Sequence, residues 1–250
     1  MVEGLVSVIT PTYNCGKFIG ATIASVQNQD YNNWEMIIVD DCSQDETKNI
    51  VTEIAAKDDR IKYFCLEKNS GAAVARTKAM QLANGEYIAF LDSDDLWVPN
   101  KLTSQLAFMK DNGYAFTCTA YEQIDENGEL LGKVIKTISK TDYNRLLLDC
   151  PVGNSTVVYS VKQMGKFEVP NIRKRNDDAL WLKMLKKEQY IYGMQDVLMQ
   201  YRIRSGSISN NKLKVIKYHW ILYREIEHLG VLRSLFHIGY WCVIKALKVK

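Results

Sequence analysis

The sequence predicts an α/β fold, a mostly parallel sheet flanked by helices, with a C-terminal helical extension. Short apolar runs alternate with amphipathic segments through the first hundred residues, the pattern of consecutive βαβ units. Three of those runs end in polar or acidic residues, at Thr10 to Asn14, Asp40-Asp41 and Asp92 to Asp95. The carboxyl ends of parallel strands lie on one edge, so sequence-distant residues converge on one crevice, the place where open α/β sheets take ligands.

The first strand is Leu5 to Ile9, stopped by Thr10-Pro11-Thr12-Tyr13-Asn14. A helix follows over about Lys17 to Gln27, with Phe18, Ile19, Ile23 and Val26 on one face. Trp34 to Val39 is a second buried strand, and Ser43 or Asp45 caps a helix over Thr47 to Ala56. Ile61 to Cys65 is a third strand, and Asn69-Ser70-Gly71 opens a helix to about Ala83. Tyr87 to Leu91 is a fully buried strand, preceded by Asn84-Gly85. After Pro99 a helix reaches Asp111, and Tyr114 to Ile124 and Leu130 to Ile135 form a hairpin around Glu126-Asn127-Gly128. Thr141 to Cys150 reads as a helix, and a loop from Pro151 to Thr156 leads into a strand at Val157 to Tyr159. The charged loop Arg173 to Asp178 opens an amphipathic helix, Ala179 to Lys187, and Val197 to Ile203 is a last strand. Arg204 to Asn211 is polar, and the remainder forms two helices broken at Gly230.

The chain has 250 residues, of which 47% are apolar, enough for a sizeable core in one large or two small domains. A net charge of +3 argues against a nucleic-acid partner. That charge is uneven: residues 212–250 carry eight lysines and arginines against two glutamates. Six scattered cysteines without a Cys-x-x-Cys pair exclude a zinc framework and a dense disulfide scaffold, and fit a reducing compartment. The opening residues read as a strand and turn rather than a signal peptide, and no run of about 18 apolar residues marks a membrane span.

Asp92 and Asp94 stand two apart, so on an extended chain they point the same way, and paired carboxylates near a phosphate crevice suit a hard divalent ion. The competing reading is an acidic turn and helix cap ahead of Pro99.

These stretches resemble the family 2 glycosyltransferases of the GT-A fold. The residues that carry the resemblance are Val8 to Asn14, Ile38 to Ser43, Asn69 to Arg76 and Phe90 to Trp97, with Arg175-Asn176-Asp177 ahead of Leu180-Trp181-Leu182, and Tyr201-Arg202 to Ser209. It spans about residues 5–211, in matching order and spacing.

The resemblance implies a Rossmann-like nucleotide-binding half, 1–98, an acceptor-side half, 99–211, and a basic amphipathic tail, 212–250. It assigns Pro11, Tyr13 and Asp41 to the uridine of a UDP-sugar. Asp92-Ser93-Asp94 matches the family's Asp-x-Asp motif, with Asp94 on Mn²⁺ or Mg²⁺ and Asp92 facing the ribose or sugar. Arg76 is expected to reach donor oxygens, and Arg202, Arg204 and Ser207 to close over the diphosphate. Asp177 takes the place of the base that deprotonates the acceptor hydroxyl. Asp178 stands where the family often has an aromatic residue, so the register leaves it as the second candidate.

The implied activity is inverting transfer to a glycan or glycolipid in bacterial surface-polysaccharide synthesis. The tail mixes Trp220, Leu232, Phe236 and Trp241 with Lys214, Arg224, Arg233 and Lys245, which suits an anionic membrane on its cytoplasmic face. Packing on the domain or a homodimer interface is the alternative use of the same pattern. A nucleotidylyltransferase would instead want a Gly-rich phosphate loop where Thr10 to Asn14 stands. An inactive membrane-associated scaffold is the non-enzyme alternative, and Asp92, Asp94 and Asp177 argue against it.

Overall fold

The computed structural model describes residues 1–204 and 212–246. Ser207, with the rest of 205–211, and residues 247–250 lie outside the described residues.

The first half builds as the alternation requires. Strands β1 (Val2–Thr12), β2 (Trp34–Asp40), β3 (Ile61–Cys65) and β4 (Gly85–Phe90) alternate with helices α1 (Gly16–Gln27), α2 (Thr47–Ala55) and α3 (Ala72–Leu82). The strands run parallel in the order β3-β2-β1-β4. Register aligns their carboxyl ends: Thr12 lies opposite Asp40, Asp40 opposite Cys65, and Ile9 opposite Phe90. The Asp41 N–H then donates to the Thr12 carbonyl at 2.9 Å and the Leu91 N–H to the Ile9 carbonyl at 3.1 Å, which puts both acidic strand ends on one edge.

Alternation along each strand sorts the core into two layers. Ile9, Ile37, Val39, Ile88 and Phe90 face α3 and the later helix α7 (Asn176–Leu185). Val8, Met36, Ile38 and Ala89 face α1 and α4 (Lys101–Asn112). Gly85 marks a close crossing, because a Cβ there would meet the Leu5 carbonyl at 2.5 Å.

Direction reverses beyond β4. The short β9 (Val158–Ser160) pairs antiparallel with β4 on one side and with β6 (Phe116–Ile124) on the other. Next come β10 (Ile191–Arg202), parallel to β6, and β5 (Leu96–Trp97), antiparallel to β10. The hairpin strand β7 (Leu130–Ile135) adds to β6, and β8 (Lys140–Thr141) to β10. An antiparallel strand starts where its neighbour ends, so the 3₁₀ turn Asn154–Thr156 just before β9 lies beside the acidic end of β4.

Several boundaries differ from expectation. α7 begins at Asn176, inside the charged loop, because Asp177 and Asp178 occupy its first turn, where carboxylates suit the helix dipole. β10 begins at Ile191 instead of Val197; its bulged register with β6 masks the simple alternation. The expected helix Thr141 to Cys150 shortens to α5 (Tyr143–Leu148), capped by the Asp142 carboxylate on the Arg145 N–H. A four-residue helix, α6 (Val161–Met164), follows β9. The tail forms α8 (Lys212–Ile221), a π-turn Leu222–Ile226, and α9 (Val231–Ala246). It packs partly on the domain: the Tyr223 hydroxyl donates to the Leu147 carbonyl at 2.9 Å, and Glu227 pairs with Lys186, the C-cap of α7, at 2.8 Å.

Candidate active site

The edge formed by β1, β2 and β4 gathers the polar strand ends. At its β2 end, Asp40 is consumed locally: it accepts from the Ser43 N–H at 2.8 Å, the Ser43 hydroxyl at 2.6 Å and the Tyr63 hydroxyl at 2.7 Å. Asp41 instead accepts the N–H groups of Ser70 at 2.6 Å and Gly71 at 2.8 Å, at the start of α3. Gly71 adopts φ +94°, a conformation in which a side chain would be strained. Pro11 is buried in β1, and Tyr13 stands 49% exposed at the mouth. Asn14 turns left-handed at φ 46° and accepts the Gln44 N–H, which ties the two loops together. Beside Asp41, a cavity of about 210 Å³ is lined by Asn69, Ser70, Gly71, Asn171, Ile172 and Arg173.

The acidic end of β4 is built from four directions. Asp92 Oδ1 accepts from Arg76 Nη2 at 2.9 Å and from Asn154 Nδ2 at 2.8 Å. Its own N–H donates to Ser155 Oγ at 3.0 Å. Desolvation raises the Asp92 pKa; Arg76 opposes the rise, and the charges of Asp94 and Asp177 add to it. Asp94 Oδ2 pairs with Arg204 Nε at 2.9 Å. The Ser93 carbonyl accepts from the Thr22 hydroxyl at 3.0 Å and the Cys15 thiol at 3.2 Å, which binds the motif to α1 and its start. Asp95 is buried and structural: it accepts from Ser155 Oγ at 2.6 Å and from the Arg202 N–H at 3.1 Å.

Arg202 requires a correction. Its side chain was expected over the diphosphate, but it is buried and donates to the carbonyls of Asp94, Asp125 and Glu126. With those N–H groups committed, it holds the Asp94 loop against the β6–β7 turn, and Arg204 is the guanidinium left facing the carboxylate.

Two adjacent carboxylates open α7, and they are not equivalent. Asp178 is buried and ion-paired with Arg175; burial pushes it up to about 6. Asp177 is half-buried, and its charge is felt by Asp92. Arg76 joins the two acidic stretches, since it bonds both Asp92 and the Asn176 side chain. Trp181 packs edge-on against Phe90 with centroids 5.1 Å apart, which seats the start of α7 over the end of β4.

Among the described residues no cluster of three or more His, Cys, Asp or Glu side chains encloses a metal. The donor set still suits a hard divalent cation. The charges of Asp94 and Asp177 both act against that of Asp92, and carboxylate oxygens are the ligands such ions prefer.

The sequence profile of Glycosyl transferase family 2 matches residues 7–171. The chain belongs to that family. This glycosyltransferase is 45% identical to TuaG of Bacillus subtilis, named for teichuronic acid biosynthesis, over 98% of this chain and 95% of the relative. It is 38% identical to WfgD of Escherichia coli, a UDP-Glc:alpha-D-GlcNAc-diphosphoundecaprenol beta-1,3-glucosyltransferase, over 96% and 93%. Its fold is the GT-A fold of TarS from S. aureus, solved with UDP-GlcNAc, at a TM-score of 0.70 and 22% identity over 93% of this chain and 70% of that one. A mannosyltransferase from Pyrobaculum calidifontis, solved with GDP-Man and Mn2+, superposes at a TM-score of 0.64 and 18% identity over 96% and 75%. As a family 2 enzyme the glycosyltransferase inverts the configuration of the sugar it transfers.

Sequence reasoning missed Asn154, Ser155 and Asn176 as parts of this site. Asn176 was passed over as a neighbour of Asp177, and the Asn154-Ser155 pair carries no local signature because its partners lie some sixty residues earlier.

Proposed function

We propose that the glycosyltransferase moves a sugar from a UDP-sugar to a hydroxyl of a lipid-linked glycan, in one in-line displacement. The observation that carries this reading is Arg76, which bonds both the Asp92 carboxylate at the end of β4 and the Asn176 side chain at the start of α7, next to Asp177. Residues 1–98 hold the nucleotide and 99–211 present the acceptor. Tyr13 stacks on the uracil at the rim formed by Pro11, and Asp41 accepts its imide N–H. Asp94 and Asp92 would hold Mn²⁺ or Mg²⁺, which when bound would supply Lewis-acid stabilisation of charge on the diphosphate. Ser93 fixes the turn between them through its carbonyl. Arg76 orients Asp92 toward the sugar, and Arg204 leaves Asp94 to meet the diphosphate. Asp177 takes the acceptor proton, while Asp178 stays locked on Arg175. The name of WfgD supports both the UDP-sugar donor and the lipid-linked acceptor, the name of TuaG supports surface-polysaccharide synthesis, and the UDP and UDP-GlcNAc complexes of TarS support the donor.

UDP release from a panel of UDP-sugars, with Mn²⁺ and a membrane glycolipid extract, tests the reading. Acceptor-stimulated release from one donor is expected. Activity only with another nucleotide, such as GDP-mannose, would overturn the uridine assignment.

The tail supports work at the inner face of the cell membrane. α9 is inverted for a soluble helix: Ser234, His237 and Trp241 face the protein, while Leu232 (84%), Leu235 (53%), Phe236 (62%) and Val243 (55%) face outward. Arg233 and Lys245 are exposed beside them. No described helix is long and apolar enough to cross a membrane. An apolar stripe with basic flanks instead suits the headgroup layer of an anionic bilayer. The protein is expected to co-sediment with phosphatidylglycerol vesicles and not with phosphatidylcholine ones, and Leu232→Asp with Phe236→Asp to abolish it. Indifference to both lipids, with a dimer that the double variant splits, would assign the stripe to a second copy instead.

A further inference from the structure

Lys101 is the first residue of α4 and is fully buried, with no carboxylate beside it. A lysine in such a place normally costs stability, because its ammonium leaves water without gaining an ion pair. Its partners are neutral. Nζ donates to Gln105 Oε1 and, at 3.3 Å, to the Thr156 carbonyl, and it lies 4.8 Å from the centre of the Trp97 ring. Gln105 Nε2 donates to the same Thr156 carbonyl at 3.0 Å. Trp97 Nε1 donates to the preceding carbonyl, that of Ser155, at 2.8 Å. Two of the three carbonyls of the 3₁₀ turn are therefore gripped from behind. From its other side the same turn holds the acidic end of β4: Asn154 bonds the Asp92 carboxylate, and Ser155 bonds the Asp92 N–H and the Asp95 carboxylate.

We infer that Lys101 is a positioning residue for catalysis. It acts through the Thr156 carbonyl to keep Asn154 and Ser155 in register with Asp92 and Asp95, and so fixes the carboxylates that face the donor. It touches no substrate. The inference rests on the donor site proposed above. A residue kept for this purpose trades stability for geometry, a trade common at active sites. Burial pushes the Lys101 ammonium down to about 7, and Cys118 on β6 is the other titratable group that acts on it. The native state thus resists a proton that the unfolded chain accepts. The cost of burial is full below about pH 7 and fades as pH rises toward the ordinary lysine value of 10.5.

The test is Lys101→Met, which keeps the length of the side chain and removes the charge and the donors. Its Tm is expected to equal or exceed that of the wild type at pH 7, with any gain shrinking toward pH 10. Its kcat is expected to fall about tenfold with KM for the donor within about twofold, the signature of misplaced rather than missing groups. Amide exchange over residues 91–96 is expected to quicken. Wild-type kcat and unchanged exchange in a folded Lys101→Met would overturn the inference. If that variant does not fold, Trp97→Phe decides, since it removes the indole N–H that holds the Ser155 carbonyl and keeps an aromatic ring beside Lys101: the same kcat loss supports the inferred positioning of the turn, and full activity refutes it. The wild type runs alongside. Failure of the wild type to use any UDP-sugar would sink the donor assignment, and the exchange measurement would then still judge that positioning.

Discussion

Asp177→Asn is expected to lower kcat by roughly 10²–10⁴-fold, the range over which a positioned general base contributes. UDP affinity is expected to stay near that of the wild type, because the role proposed for Asp177 is on the acceptor hydroxyl and not on the nucleotide. Asp178→Asn is expected to cost less than about tenfold, since its carboxylate is turned onto Arg175 and away from any substrate. The two also differ in their pH signatures. Burial lifts Asp178 from 3.8 to about 6, so the folded protein holds that proton more tightly than the unfolded chain does. Stability is therefore expected to decline as pH rises between those values, and Asp178→Asn to flatten that part of the curve. Steady-state UDP release and thermal unfolding between pH 4 and 7 check both statements. A crippled Asp178→Asn beside an active Asp177→Asn would move the base by one residue.

Chelation is the second large effect. Treatment with EDTA is expected to stop turnover, and added Mn²⁺ or Mg²⁺ to restore it. Asp94→Asn is expected to reduce kcat/KM on the order of a thousandfold, the equivalent of several kcal/mol of lost charge stabilisation. Asp94→Asn also releases Arg204 from its 2.9 Å pair, so UDP is expected to bind with less help from the metal than in the wild type. Isothermal titration with UDP, with and without Mn²⁺, measures that difference. Turnover unmoved by EDTA would remove the metal from the mechanism and leave Arg76 and Arg204 as the cleft's cations.

The alternating half of the fold was legible because each strand there is a short apolar run closed by a turn, and because parallel register forces their ends together. The same logic brought the acidic ends of β2 and β4, Asp40-Asp41 and Asp92 to Asp95, to one edge of the sheet, whereas Asp177 was reached only through the family resemblance. What stayed hidden depends on pairing between distant segments. Leu96-Trp97 is too short to carry a period, and it becomes β5 only by joining Met199 and Gln200. Arg202 reads as a cleft cation in sequence, yet its guanidinium meets carbonyls contributed by a turn some eighty residues earlier. Asn154 and Ser155 look like ordinary loop residues until β9 reverses direction beside β4. Lys101 looks like a surface lysine opening an amphipathic helix. Only the packed position shows that α4 turns it inward.

The reversal at β9 also sets the order in which the enzyme becomes competent as it is made. The parallel strands β1 to β4 find all their mutual pairing partners within the first ninety residues, which leave the ribosome first. At that moment Asp92 and Asp95 lack Ser155, and Asp95 lacks the N–H of Arg202, 107 positions away. A chain halted before β10 lacks the Arg202 N–H that holds Asp95, and is expected to show no transfer activity until β10 has been made.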